Sequence, residues 1–169
     1  MRQPASFAVS SLAEATRALE YFNGFHDGFM RRIVIDSQDK MHEDFSQDAT
    51  GIFDVTIDFA HYNYAFKETS TPNEPPFAPY NQIIRAEFRN VQDLFCDFSS
   101  AFLGNSIIGL RIHPANRRQG GSTATESCLA LHLARHYYLE AHRRFELRES
   151  QFFTFSEATF SEQSPENVK

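Results

Sequence analysis

Residues 52–66, IFDVTIDFAHYNYAF, constrain the fold more than any other stretch. Phe53, Val55, Ile57 and Phe59 alternate with Asp54, Thr56 and Asp58. A period of two places the two sets on opposite faces of an extended chain; a helix would scatter them. The stretch therefore predicts an antiparallel strand with one face in a core and one face in water. On that reading truncating an inward Phe is costly, while Asp54 and Asp58 are replaceable within about 1 kcal/mol. The same period recurs in 83–89, where Ile84, Ala86 and Phe88 alternate with Arg85, Glu87 and Arg89. In 29–36, Phe29, Ile33 and Ile35 alternate with Met30, Arg32 and Val34. Ile108, Leu110 and Ile112 predict another strand, ended by Pro114.

One helix is expected. Ser11 followed by Glu14 forms a capping-box pattern, Leu12, Ala15, Leu19 and Phe22 share a helical face, and Asn23-Gly24 stops it. The expected range is 12–22. Residues 128–148 fit two descriptions. Leu129, Leu131, Leu133, Tyr137, Leu139, Ala141, Phe145 and Leu147 suit two strands, 128–134 and 137–148. Leu133, Tyr137, Ala141 and Arg144 also suit a helical stripe, so the helix stays open beside the favoured strands. A bend leading into a strand at 94–98 and a short strand at 151–156 complete the set. Loops are expected at 37–50, 67–80 (four prolines) and 113–127.

The implied architecture is α+β and mainly β: a largely antiparallel, curled or two-layer sheet with the N-terminal helix packed on one side. Residues 1–160 form the expected domain and 161–169 a frayed polar tail. Eighteen Phe and six Tyr, with no Trp, supply an aromatic core.

A net charge of −6 argues against a general electrostatic grip on nucleic acid. Phe7–Val9 is too short for a signal-peptide core, and no apolar run is long enough for a membrane span. Cys96 and Cys128 stand alone, outside any CxxC pair; free thiols in a reducing cytoplasm are favoured, with one disulfide between them the alternative. The expected location is therefore cytoplasmic, without membrane attachment.

Three constellations could carry chemistry. His26-Asp27, in FNGFHDG, could be a base with its orienting carboxylate, or a structural turn in which Asp27 accepts backbone N–H bonds. The structural reading is favoured, because adjacent residues on an extended chain point apart. His132 and His136 are four apart, with His142, His61 and His113 elsewhere, but no HExxH or CxxC pattern accompanies them. No cofactor, metal or catalytic residue is assigned. Thirdly, acidic residues crowd 36–58 and arginines crowd 111–148. Either opposite charges pair across strands, or a two-signed surface docks a partner. The candidate surface comprises Asp39, Glu43, Asp44, Asp48, Arg117 and Arg118.

At FHDGFMRRIVID the sequence resembles a loose set of small bacterial proteins. In these an N-terminal FHD-A/G motif ends a short helix and leads into a first strand. Some of the set look like immunity proteins of polymorphic toxin systems. VTIDFAHYNY, AEFRNVQDLF and LEAHRRFELRE agree in kind with later strands of that pattern. The resemblance implies an α+β or mainly β fold and a binding role, with no catalytic residues to carry over.

The expected function is a non-enzymatic binding protein, immunity-like, whose partner is another protein or a second copy of itself. In such a role the acidic loop 38–48 would cover a basic active site. The alternative is a small enzyme or ligand carrier with an aromatic-lined pocket and His26 or His136 as acid/base. A third reading is a homodimer joined through a strand edge or aromatic patch.

Overall fold

The computed structural model describes residues 4–26, 28–63, 80–94, 109–118, 125–139 and 144–163. The chain runs through β1 (Ser6–Val9), α1 (Leu12–Tyr21), a 3-10 turn (Asn23–Phe25) and β2 (Phe29–Ser37). Next come β3 (Lys40–Met41), β4 (Gln47–Asp48), β5 (Phe53–Asn63) and β6 (Tyr80–Val91). It ends with β7 (Gly109–Arg118), β8 (Thr125–Leu139), β9 (Arg144–Phe155) and β10 (Glu157–Gln163). The protein is mainly β, with one α-helix and only antiparallel strand pairs among the described residues. A five-stranded sheet has the order β1-β10-β6-β5-β2, and a three-stranded sheet the order β7-β8-β9. β3 and β4 pair as a separate small hairpin. Among the described residues neither larger sheet closes on itself.

The alternation in β5 and β6 has the expected consequence. Val55, Ile57 and Phe59 are buried with Ile84, Ala86 and Phe88, and Phe53 packs part-buried against them. Phe88 meets Phe153 and Phe155 of β9 edge-on, at ring-centroid distances of 4.8 and 5.0 Å. The two sheets thus contribute to one apolar cluster. They are also joined covalently, since β9 passes into β10 through Ser156 alone. A backbone bridge between Gln92 and Thr154 fastens the end of β6 to β9.

α1 begins as the capping box requires. The Glu14 N–H donates to Ser11 Oγ, while the Glu14 carboxylate accepts from Ser11 Oγ and from the Ser10 N–H and hydroxyl. Led by the Ser10 N–H, these donors hold the Glu14 carboxyl below its usual range. The helix buries Ala15 and Ala18 and makes contact with β1 and β7. It stops where Asn23 and Gly24 take left-handed φ values of 50° and 59°.

Several expected boundaries move. Within 37–50, β3 and β4 form a hairpin because its tip closes on local hydrogen bonds. Pro114 does not end its strand: β7 continues to Arg118, which an edge position in the three-stranded sheet tolerates. The expected loop at 113–127 is therefore strand over most of its length. In 128–148 the helical alternative is overturned by β8 and β9, whose ladder pairs Leu129 with Phe155 and Leu139 with Arg144. The expected break near 135 is absent, and β8 runs unbroken to Leu139. The short strand at 151–156 is the end of β9. Ser161, Glu162 and Gln163, expected in the tail, belong to β10 and pair with β6. β1 was not expected; four residues are too few to show a period. The loop over 67–79, the strand at 94–98 beyond Leu94, and Cys96 lie outside the described residues.

The outer face of the five-stranded sheet carries the charges. Asp58 receives a bidentate pair from Arg85, its cross-strand neighbour, with N–O distances of 2.8 and 3.2 Å. Arg32 of β2 lies 4.0 Å away on the other side. Asp58 is consequently buried and not on a wet face as expected, so its replacement should cost more than the expected value of about 1 kcal/mol. Asp54 accepts from Arg89 at 2.6 Å, Gln38 Nε2 at 3.0 Å and the Asn90 N–H at 3.3 Å. The acids of β5 therefore pair with arginines of β6, the neighbouring strand of the same sheet.

Candidate functional site

The FNGFHDG turn is built from unusual backbone. Asn23, Gly24 and Phe25 are all left-handed, Phe25 at φ 58° although it is buried. A bulky residue in that region stores strain, and packing must hold it there. The Phe25 ring lies among Phe22, Phe59, Phe160 and His61, at 5.5, 4.9, 6.0 and 5.5 Å. Gly28 shares the constraint: a Cβ there would stand 3.0 Å from the Phe25 carbonyl oxygen and 3.3 Å from that of Ala60. His26 ends the 3-10 turn, is exposed, and donates its backbone N–H to the Asn23 carbonyl. Asp27 lies outside the described residues. The buried histidine of this region is His61, 2 % exposed on β5, which the sequence reading listed only among scattered histidines.

A shallow groove of about 330 Å³ lies between α1 and β7. Leu19, Leu110 and Ile112 line it with Arg111 and His113; His26 is not part of the lining. His113 and His132 meet edge-on across β7 and β8, with ring centroids 4.6 Å apart. His136 lies in β8, its side chain outside the described residues. Among the described residues no group of three or more His, Cys, Asp or Glu is placed to hold a metal ion. No described helix is long and apolar enough to cross a membrane.

The acidic candidates converge on the β3–β4 hairpin. Lys40 pairs with Asp48 and Met41 with Gln47 across the two strands. The tip closes by His42 N–H to the Ser46 carbonyl at 2.9 Å and Phe45 N–H to the His42 carbonyl at 3.0 Å. Asp44 accepts from the Ser46 N–H at 2.9 Å and its hydroxyl at 2.6 Å, an Asx turn that fixes the tip. The Ser46 hydroxyl and N–H hold the Asp44 carboxyl below its usual range. Asp39 fastens the base by accepting from the Thr50 N–H at 2.7 Å and hydroxyl at 3.0 Å, and its carboxyl is lowered by those same bonds. Asp48 lies 3.0 Å from His42 Nε2, and Glu43 is exposed at the tip.

Two residues that the sequence reading passed over stand out here. Phe45 is 88 % exposed with φ 65°, and Met41 is 75 % exposed. Among the described residues Leu12, Phe29 and Ile35 are the other exposed large apolar side chains, so four of these five fall between 29 and 45. The sequence held a signal: Met41 and Phe45 are the large apolar residues of 37–50, a run otherwise polar but for Ala49, and form no period that could bury them.

The expected basic half of the surface separates. Arg118 is exposed on β7, but Arg117 is 6 % exposed. Its guanidinium donates to Glu126 on β8, to the Asn90 carbonyl at the end of β6, and to Ser156 Oγ at 2.7 Å. Arg117 therefore joins the two sheets from inside, because three acceptors from different elements meet at its position. No family model, curated protein or solved structure matches the chain.

Proposed function

We propose that this chain is a non-enzymatic binding protein of the cytoplasm whose docking element is the β3–β4 hairpin. The observation that carries this reading is Phe45, held almost wholly in water by a fixed turn. A large apolar side chain so displayed has its burial free energy still to gain, of order 1.5–3 kcal/mol for a Phe. Preorganisation by Asp39 and Asp44 lowers the entropy lost on docking. Asp39, Glu43, Asp44 and Asp48 flank Met41 and Phe45 along the hairpin sequence, so the partner surface is an apolar pocket rimmed by Lys and Arg. An immunity-like role, with the hairpin covering a basic active site, is the specific form that we propose. In our reading the two larger sheets form two layers, with α1 at one side, and serve as the rigid base of the hairpin.

The test uses the chain as bait in extract, with Phe45→Ala and a Glu43→Lys/Asp44→Lys pair beside wild type. The expected result is a basic partner retained by wild type and lost by both variants. Its association rate should fall as salt is raised. Retention undiminished in both variants, with their melting temperatures unchanged, refutes the hairpin as docking element.

A further inference from the structure

β2 is one of the two outer strands of the five-stranded sheet, and among the described residues no strand pairs with its far side. Its central sequence is Arg32-Ile33-Val34-Ile35-Asp36, with a cation at one end, an anion at the other and three β-branched residues between. We infer that β2 pairs antiparallel with β2 of a second copy of this chain, about a two-fold axis at Val34.

The register follows from the hydrogen-bond pattern. β2 and β5 stay in one register from Arg32 opposite Asp58 to Ser37 opposite Phe53. One step further, the Gln38 N–H donates to the Ile52 carbonyl at 2.9 Å. Directly opposed antiparallel residues alternate between bonded and non-bonded pairs. The even residues of β2 therefore spend their backbone groups on β5. The odd residues, Ile33 and Ile35, turn theirs to the open edge. A second β2 must bond through odd residues on both strands. Centring the axis on Val34 satisfies this, with Ile33 bonded to the partner copy's Ile35 and Ile35 to its Ile33.

Side-chain chemistry selects this register over its neighbours. Arg32 falls opposite Asp36 of the other copy, twice by symmetry. Ile33 and Ile35 share the face of Ile57 and Val55, so the apolar floor continues across the axis. A register centred one bonded step away on Ile33 would set Arg32 against Val34, and one on Ile35 would set Asp36 against Val34. Asp36 has a further reason to seek a cation, since its cross-strand neighbour within the chain is Asp54. Arg32 can supply it: its side chain is 64 % exposed and reaches Asp58 only at 4.0 Å. Ile35 is itself exposed. The bulge between Met30 and Arg32 ends the pairing on the N-terminal side and restricts it to this segment.

This inference is independent of the hairpin reading, because the residues tested lie outside 40–48. Sedimentation of wild type, Arg32→Glu and Asp36→Arg across the micromolar range tests it, with far-UV circular dichroism to confirm folding. Wild type should dimerise. Each single reversal should raise the dimer dissociation constant about tenfold or more, because symmetry counts the like-charge contact twice. An equimolar mixture of the two variants should dimerise again, as each heterodimer restores both opposite-charge pairs. A Val34→Cys chain should form an intermolecular disulfide under mild oxidation, because Cα atoms of a non-bonded pair lie about 4.5 Å apart; the unaltered chain controls for the native cysteines. A wild type that stays monomeric overturns the inference. A dimer that both reversals leave intact, or variants that remain monomeric when mixed, also overturns it.

Discussion

Phe88→Ala measures whether the two sheets depend on each other. The Phe88 ring is fully buried and meets Phe153, Phe155 and Phe160 edge-on, at 4.8, 5.0 and 5.7 Å. Phe153 and Phe155 come from the three-stranded sheet, whereas Phe88 and Phe160 belong to the five-stranded one. Truncation loses the transfer free energy of the ring and leaves a cavity, together about 3–5 kcal/mol. The edge-on pairs, about 0.5–1.5 kcal/mol each beyond area burial, place this site at the upper end. A domain holds only about 5–15 kcal/mol in all, so Phe88→Leu, which keeps most of the volume, is the companion variant. Urea unfolding gives both differences, with the slope checked for constancy. A double-mutant cycle with Phe153→Leu should show coupling of about 0.5–1.5 kcal/mol. A loss below about 1 kcal/mol for Phe88→Ala, or no coupling to Phe153, refutes a shared core.

Arg117→Met should cost about 3 kcal/mol in urea melts, because a buried guanidinium leaves three acceptors behind; Ser156→Ala, which removes one of them, should cost about 1 kcal/mol. Gly28→Ala should lower the melting temperature, since its Cβ would press on two backbone carbonyls that cannot step aside; Gly24→Ala, with φ 59° but open space, should cost only about 1 kcal/mol. Stability should also fall in acid. Burial pushes the Asp54 carboxyl up, but the Arg89 guanidinium, Gln38 and the Asn90 N–H outweigh it, and Glu14, Asp39 and Asp44 are likewise lowered. A lowered carboxyl binds its proton more readily in the unfolded chain, so its contribution is whole above the unfolded pKa, near 4, and is lost as pH drops toward the folded value. Thermal melts from neutral pH downward should show this, and Asp54→Asn should flatten the curve.

The strands with a clean period of two were legible because one face is wet and the other dry: β5 and β6 needed nothing else. The helix was legible from Ser11, Glu14 and Gly24, whose roles are local. β8 was harder because Ala130 and Ala134 are buried along with Leu129, Leu131 and Leu133, and a strand buried on both faces loses its alternation. β7 was cut short because Pro114 is a strand breaker only where its missing N–H is needed, and edge status is a tertiary fact. Arg117 was misplaced for a similar reason. Nothing near it in sequence shows that Asn90 and Ser156 will converge on it. In the hairpin the acids were legible as charge, but Phe45 was not read as exposed, because hydrophobicity is ordinarily evidence of burial.

The place of β10 has a consequence for how the chain is made. It lies between β1 and β6, so among the described strands β1 has no pairing partner until β10 arrives. Ala5 and Glu162, hydrogen-bonded across that junction, are 157 residues apart. Polymerisation at about 5–20 residues per second separates the birth of those two strands by on the order of ten to thirty seconds. During that interval the inner side of β1, Phe7 and Val9, waits without its sheet, and so does the flank of β6 that will receive Ala158 and Phe160. Completion of the five-stranded sheet thus waits on β10, and long-range pairing of this kind is slow. A nascent chain stalled before β10 would present two apolar strand edges to its neighbours, which makes β10 a safeguard against aggregation as much as a part of the core.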